Sequence, residues 1–193
     1  MSQLYRLQLS SSVSRTVTAS DSVCYPIRLT AIQPEDEMVE LLREALLRHG
    51  FEPDGEDHLL RGRGPEGEDL VVDLDAMTLT ATLEEEKELV TQAAAHGTGE
   101  SRREARVRAE AELDANREAA EQRLEREGKQ VQRQLSRRLE RSEAARNRQL
   151  HEVLQEVYAE ALKRKARTLG DVTELRESTS DDGQYELVIT IEQ

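Results

Sequence analysis

SRREARVRAEAELDANREAAEQRLEREGKQVQRQLSRRLERSEAARNRQLHEVLQEVYAEALKRKARTL, residues 101–169, holds no proline and one glycine, Gly128, and consists mostly of Ala, Glu, Arg, Gln and Leu. Such residues lose little side-chain freedom in a helix, so the stretch predicts a long helical segment, roughly 100 Å if unbroken at 1.5 Å per residue. Its halves differ. Leu113, Ala120, Leu124 and Val131 give the first a thin seam, whereas Leu135, Leu139, Leu150, Val153, Leu154, Val157, Tyr158, Ala161 and Leu162 give the second enough apolar surface to pack. Whether the segment runs straight through Gly128 or folds there into a hairpin is left open by the pattern. Between Arg102 and Thr168, 18 Lys and Arg stand against 13 Asp and Glu, while the rest of the chain carries 9 against 27. The reading is of a basic rod joined to an acidic body.

Outward from the rod, the first 30 residues alternate: Tyr5, Leu7 and Leu9, then Val13 and Val17, then Val23, Tyr25, Ile27 and Leu29, broken by Ser10-Ser11-Ser12 and Ala19-Ser20-Asp21-Ser22. That predicts two or three short strands joined by turns. Pro34 with Glu35, Asp36 and Glu37 opens a helix whose stripe is Met38, Leu41, Leu42, Ala45 and Leu46, closed by Gly50 with Phe51 folding back. His58–Arg63, Leu70–Leu74 and Thr78–Leu83 read as a meander on which that helix can lie. Glu84-Glu85-Glu86 then leads into an Ala-rich stretch expected to make a helical turn or two, ended by His96-Gly97-Thr98-Gly99. On the far side of the rod, Val172–Glu177 and Tyr185–Ile191 flank Ser180-Asp181-Asp182-Gly183 and predict a C-terminal β-hairpin. The fold class is α+β: a small mixed or antiparallel sheet with one packed helix, plus a long charged helix or helical hairpin of coiled-coil type. Residues 1–97 form the body, 98–169 the helical segment, and 170–193 the hairpin expected to join the N-terminal strands.

The chain has 193 residues, 3% aromatic and 35% charged, so its core must be small and filled by Leu, Val, Ile and Ala. Cys24 is the single cysteine, which points to a reducing, cytoplasmic setting. No signal-peptide pattern opens the sequence and no run of 18 apolar residues occurs, so neither export nor a membrane span is expected. A net charge of −13 disfavours non-specific attraction of the whole molecule to nucleic acid.

Gly62-Arg63-Gly64-Pro65-Glu66-Gly67 matches G-x-G-x-x-G, but a strand follows where a phosphate-binding loop needs a helix, and Glu66, Glu68 and Asp69 repel phosphate. It reads as a hairpin loop. His49, His58, His96 and His151 lack metal-ligand spacing, and Asp73 with Asp75 reads as carboxylates on a half-exposed strand, so no metal and no cofactor are expected. Cys24 reads as a small strand residue, and no nucleophile, base and orienting group share a motif, so no catalytic residues are expected. Arg133, Arg137, Arg138, Arg141, Arg146 and Arg148 form a basic run broken only by Glu140 and Glu143. It suits phosphates, an acidic protein surface, or plain solvation with Glu104–Arg108, Glu125–Lys129 and Glu160–Arg164 as supporting pairs. The absence of interleaved aromatics counts against base stacking.

Ser14-Arg15-Thr16-Val17 with Val23-Cys24, the block from Leu41 to Phe51, and Asp181-Asp182-Gly183-Gln184-Tyr185-Glu186-Leu187 resemble an accessory X-type domain of the FtsH ternary systems. The resemblance implies a non-enzymatic bacterial cytosolic component working beside an FtsH-like AAA+ ATPase or protease in a conflict system, with no catalytic residues carried over. The combined expectation is an adaptor. Its partner-binding residues are Leu135, Leu139, Leu150, Val153, Val157, Arg137, Arg138 and Arg141, with homo-oligomerisation through the long helix as a further possibility. The alternative is nucleic-acid binding by the face from Arg133 to Arg148.

Overall fold

In the computed structural model, which describes residues 4–179 and 185–192, the chain runs β1 (Tyr5–Pro26), α1 (Glu35–Arg48), β2 (Glu52–Asp54), β3 (Glu56–Arg63), β4 (Asp69–Asp73), β5 (Thr78–Gly99), α2 (Arg102–Arg141), α3 (Glu143–Leu169), β6 (Asp171–Thr179) and β7 (Tyr185–Glu192). Five strands pair in the order β1-β5-β4-β3-β2, and β6 and β7 make a two-stranded sheet of their own. The fold is α+β, as expected. The contacts divide the chain into two compact units: residues up to Asp21 with Glu84–Arg138, and Ser22–Leu83 with the chain from Leu139 onward.

The second unit is the helix-on-meander that the sequence pattern predicts. β3, β4 and the start of β5 are antiparallel, with Leu60 opposite Val72 and Val72 opposite Leu79, and with Gly62, Leu70 and Ala81 in the next row. Opposed residues share a face. These two rows are buried, as is the whole stripe Met38, Leu41, Leu42, Ala45 and Leu46 of α1. α1 ends as its sequence implies: Gly50 has φ +84°, its N–H donates to Leu47 O, and Phe51 N–H donates to Leu46 O. That pair of bonds is the Schellman arrangement, and it brings Phe51 back to cover Gly62. α3 packs on α1 and touches both strands of the C-terminal hairpin. The hairpin, expected to join the N-terminal strands, instead pairs only with itself among the described residues. Its expected turn, Ser180–Gly183, lies outside the described residues.

The first unit departs most from expectation. The N-terminal strand is one 22-residue element and not two or three short ones. Likewise the Ala-rich stretch from Glu84 to Gly99 is strand, the continuation of β5. The reason is visible in the alternation: Leu89, Ala93, Ala95, Gly97 and Gly99 are buried and Glu88, Val90, Gln92, Ala94, His96 and Thr98 exposed. A period of two won over the helical propensity of alanine because the small odd-numbered residues let α2 approach. A Cβ on Gly97 would lie 2.7 Å from Ala109 N and 2.8 Å from Ala109 Cβ. Only glycine fits there.

α2 is continuous through Gly128 and the helical segment breaks at Ser142 instead. Gly128 faces Val17, whose Cγ2 would be 3.3 Å from an added Cβ. The inward residues Leu113, Asn116, Ala120, Leu124, Gly128, Val131 and Leu135 are buried or half-buried. They recur at three, four, four, four, three and four residues, which is an eleven-residue repeat of about 3.67 residues per turn, close to that of a straight helix. A stripe with this period does not drift off a long strand pair.

Candidate interaction surfaces

The residues expected to bind a partner do not form one surface. Leu135, Leu139, Val153 and Val157 are at most 1% exposed, buried in the chain's own core, and Leu150 is half-buried. This corrects the expectation: the apolar stripe read as free to recruit another protein is the one that holds these helices in the fold. Arg137 and Arg141 are exposed. Arg138 reaches back to Glu85, with Nη1 to Oε2 at 3.4 Å.

Arg146 is the largest departure within the basic run. It is 2% exposed, whereas Arg133, Arg141 and Arg148 face solvent. Its Nη1 donates to Glu68 Oε1 at 2.6 Å and to Ser142 Oγ; its Nη2 donates to Tyr25 Oη at 3.0 Å and to Leu139 O at 2.8 Å. The guanidinium also lies 5.8 Å from the Tyr25 ring centroid, within cation–π range. Leu139 O is one of the last carbonyls of α2, which the helix itself cannot satisfy. Arg146 and Ser142, whose Oγ also donates to Leu139 O at 3.1 Å, therefore cap α2 while opening α3.

Glu68 completes this node from the β3–β4 loop, and it is fully buried. Its Oε2 accepts the Glu66 N–H at 2.8 Å, and its own carbonyl accepts the Gly64 N–H at 2.8 Å. Burial pushes the carboxyl up, but hydrogen bonds from Ser142, from backbone N–H groups and from Arg146 outweigh it and hold Glu68 below the usual carboxylate range. The G-x-G-x-x-G segment is thus a hairpin loop, and one acidic residue beside it serves as a buried counter-ion. Sequence reasoning named Glu68 only as a repellent of phosphate and Tyr25 only as a member of a strand, and did not single out Ser142. A signal did exist: Leu139, Ser142, Arg146, Val153 and Val157 recur at helical spacing, placing Arg146 on the core side.

A second charged locus is a cleft of about 480 Å³ between α1, α3 and the hairpin. Its ionic groups are largely paired with one another. Arg48 Nε lies 2.5 Å from Glu156 Oε1, His49 Nε2 3.1 Å from Glu156 Oε2, and Arg164 3.3 Å from both Glu44 and Glu160. Lys163 pairs with Glu177, to which Tyr185 Oη donates at 2.9 Å. Burial first, and then this bond to Glu177, push the Tyr185 hydroxyl up to about 12. Lys163–Glu177 fastens the hairpin to α3, while the pairs of Arg48 and His49 with Glu156 and of Arg164 with Glu44 tie α1 to α3.

The hairpin itself is thinly covered. Tyr185, Leu187, Ile189 and Ile191 are half-buried, and Leu175, opposite Ile189 and so on the same face, is 41% exposed. On the neighbouring α3, Leu162 and Leu169 are 42% and 56% exposed. Both outer edges of the two-stranded sheet lack a paired strand among the described residues.

The remaining motifs have structural explanations. Asp73 Oδ1 accepts the N–H groups of Asp75 at 2.9 Å and Ala76 at 2.8 Å, so it builds the β4–β5 turn. His58 lies 3.3 Å from Glu56 and 3.8 Å from Asp75. Among the described residues no group of three or more His, Cys, Asp and Glu is arranged to hold a metal ion. Cys24 is an exposed free thiol on β1, where a small apolar residue was expected. The expected helical pairs Glu125–Lys129, at 2.7 Å, and Glu160–Arg164 form, whereas Arg108 instead donates to Thr98 O at 2.9 Å. No helix is long and apolar enough to cross a membrane among the described residues.

Comparison with known proteins adds one match. A family model described as FtsH ternary system domain X5 matches residues 1–192. No curated protein and no solved structure matches the chain.

Proposed function

The chain belongs to the FtsH ternary system domain X5 family, and from that membership we propose that it is a non-enzymatic adaptor that binds an FtsH-like AAA+ ATPase in the cytoplasm, within a bacterial conflict system. The observation that carries this reading is the incompletely covered apolar surface of the hairpin and the end of α3. An isolated two-stranded hairpin is marginal in water and gains from a third strand or a covering helix. Here α3 covers it only in part: Leu162, Leu169 and Leu175 remain 42%, 56% and 41% exposed. Open strand edges beside half-exposed apolar side chains suit a protein partner that adds a strand or lays a helix across them.

The role once assigned to the Leu135–Val157 stripe therefore passes to this surface. The test is co-purification with the FtsH-like ATPase encoded in the native host. Leu169→Asp and Leu175→Asp, both at exposed positions, are expected to weaken capture at least about ten-fold, the loss of roughly 1.4 kcal/mol of binding. A folded chain that leaves the ATPase unbound at every concentration contradicts the reading.

A further inference from the structure

The first unit has two long faces of opposite charge. α2 lies on the odd-numbered face of β5, as the approach of Gly97 and Gly99 to Ala105 shows. Alternation then turns Glu84, Glu86 and Glu88 to the opposite, solvent-facing side, where all three are exposed. The neighbouring outward residues of β1, from Ser10 through Ser12, Ser14, Thr16 and Thr18 to Ser20, are exposed and uncharged. None of these six residues carries a charge that could neutralise the three carboxylates.

On the other side, Lys129, Arg133 and Arg137 follow one another at four-residue spacing along the solvent face of α2 and are exposed. Lys129 pairs with Glu125 at 2.7 Å. Between Lys129 and Arg141 the one carboxylate is Glu140. The two rows are matched in pitch: four residues of helix rise about 6.0 Å, and two residues of strand advance about 6.6 Å. The same pairing already occurs inside the unit, where Arg138 reaches Glu85 from the inner side.

We propose that copies of this chain associate head to tail, the Lys129–Arg133–Arg137 row of one copy seating on the Glu84–Glu86–Glu88 row of the next. Because the two surfaces differ, the contact is heterologous and propagates into rings or open chains rather than stopping at a symmetric dimer. It holds a set of adaptors at regular intervals, independently of whether an ATPase is the partner of the hairpin. Val90, exposed by 61% on the same outward face of β5 two residues beyond Glu88, supplies an apolar point at its edge.

Sedimentation velocity on the full chain tests this with two variants, Arg133→Glu with Arg137→Glu, and Glu84→Lys with Glu86→Lys and Glu88→Lys, each checked for folding by circular dichroism. The wild type is expected to grow in mass with concentration at about 0.05 M salt and at least about ten-fold more weakly at about 0.5 M, where screening is short-ranged. Each variant alone stays monomeric. Their equimolar mixture associates again, because one variant keeps the acidic row, the other keeps the basic row, and the two reversed rows are opposite in charge to each other. A wild type monomeric at low salt, or folded variants that fail to complement, overturns the proposal. So does association indifferent to salt and to both variants, which would assign it to the open edge of β1.

Discussion

Arg146 is a cation whose sequence neighbours face water while it does not. Removing one partner of a buried, hydrogen-bonded pair leaves the other charge uncompensated, at a cost of about 3–5 kcal/mol. Glu68→Gln and Arg146→Ala are each expected to destabilise the protein by about that amount, while Arg148→Ala on the same helix changes it by about 0.5 kcal/mol or less. Urea titrations of the three variants measure this; equal, small effects would remove the node from the account. The pH dependence has a definite sign. A carboxylate held below its unfolded value contributes fully above that value and loses its contribution as pH falls through the folded one. The stability difference between wild type and Glu68→Gln should therefore be constant near neutrality and shrink below about pH 4. Gly97→Ala drives a methyl group into the backbone of α2 and should cost about 1–3 kcal/mol, in the range of overpacked cores. The identity of Arg146 as a core residue was legible only in its register with Leu139 and Val153; composition made it one more arginine in a basic run.

At the scale of elements, α1 could be read almost completely, because its first-turn acids, apolar stripe and Gly50-Phe51 ending all act locally. The extension of β5 could not. Its alanines favour helix on their own, and the element that makes them strand lies further along the chain in α2. Three polar residues of α2 show how the two fit: Arg108 donates to Thr98 O, Glu112 accepts the His96 N–H at 3.3 Å, and Asn116 donates to Ala94 O at 2.7 Å. Four residues of helix step alongside two of strand, so side chains at i, i+4 and i+8 of α2 reach alternate residues of β5. They do for this edge what a neighbouring strand does elsewhere. Replacing Arg108, Glu112 and Asn116 by Ala should bare the edge and promote β-type aggregation, detectable as a rise in thioflavin fluorescence with time. Unchanged solubility and secondary structure would show that the three contacts are incidental. The break between α2 and α3 has a similar origin: nothing in the propensities at Ser142 announces it, since it depends on Glu68 and Tyr25, far away in sequence.

For the molecule as a whole, the division into a basic helical segment and an acidic remainder is a property of the sequence, and the structure gives it direction. The cations of α2 are arrayed outward while Leu124, Val131, Leu135 and Leu139 are enclosed, so the surface left for a partner is not the one with the richest apolar sequence. It is the hairpin and the end of α3, where Leu162, Leu169 and Leu175 stay exposed. Sequence patterning identified the hairpin as an element but could not show that it pairs with no other strand, because that depends on where the five-stranded sheet ends. The most direct measurement is amide hydrogen exchange of the full chain with and without the FtsH-like ATPase. The account predicts new protection in β6, β7 and the last turns of α3, with exchange in α1 and β3–β5 unchanged. Protection confined to α2, or none anywhere at saturating ATPase, would contradict it.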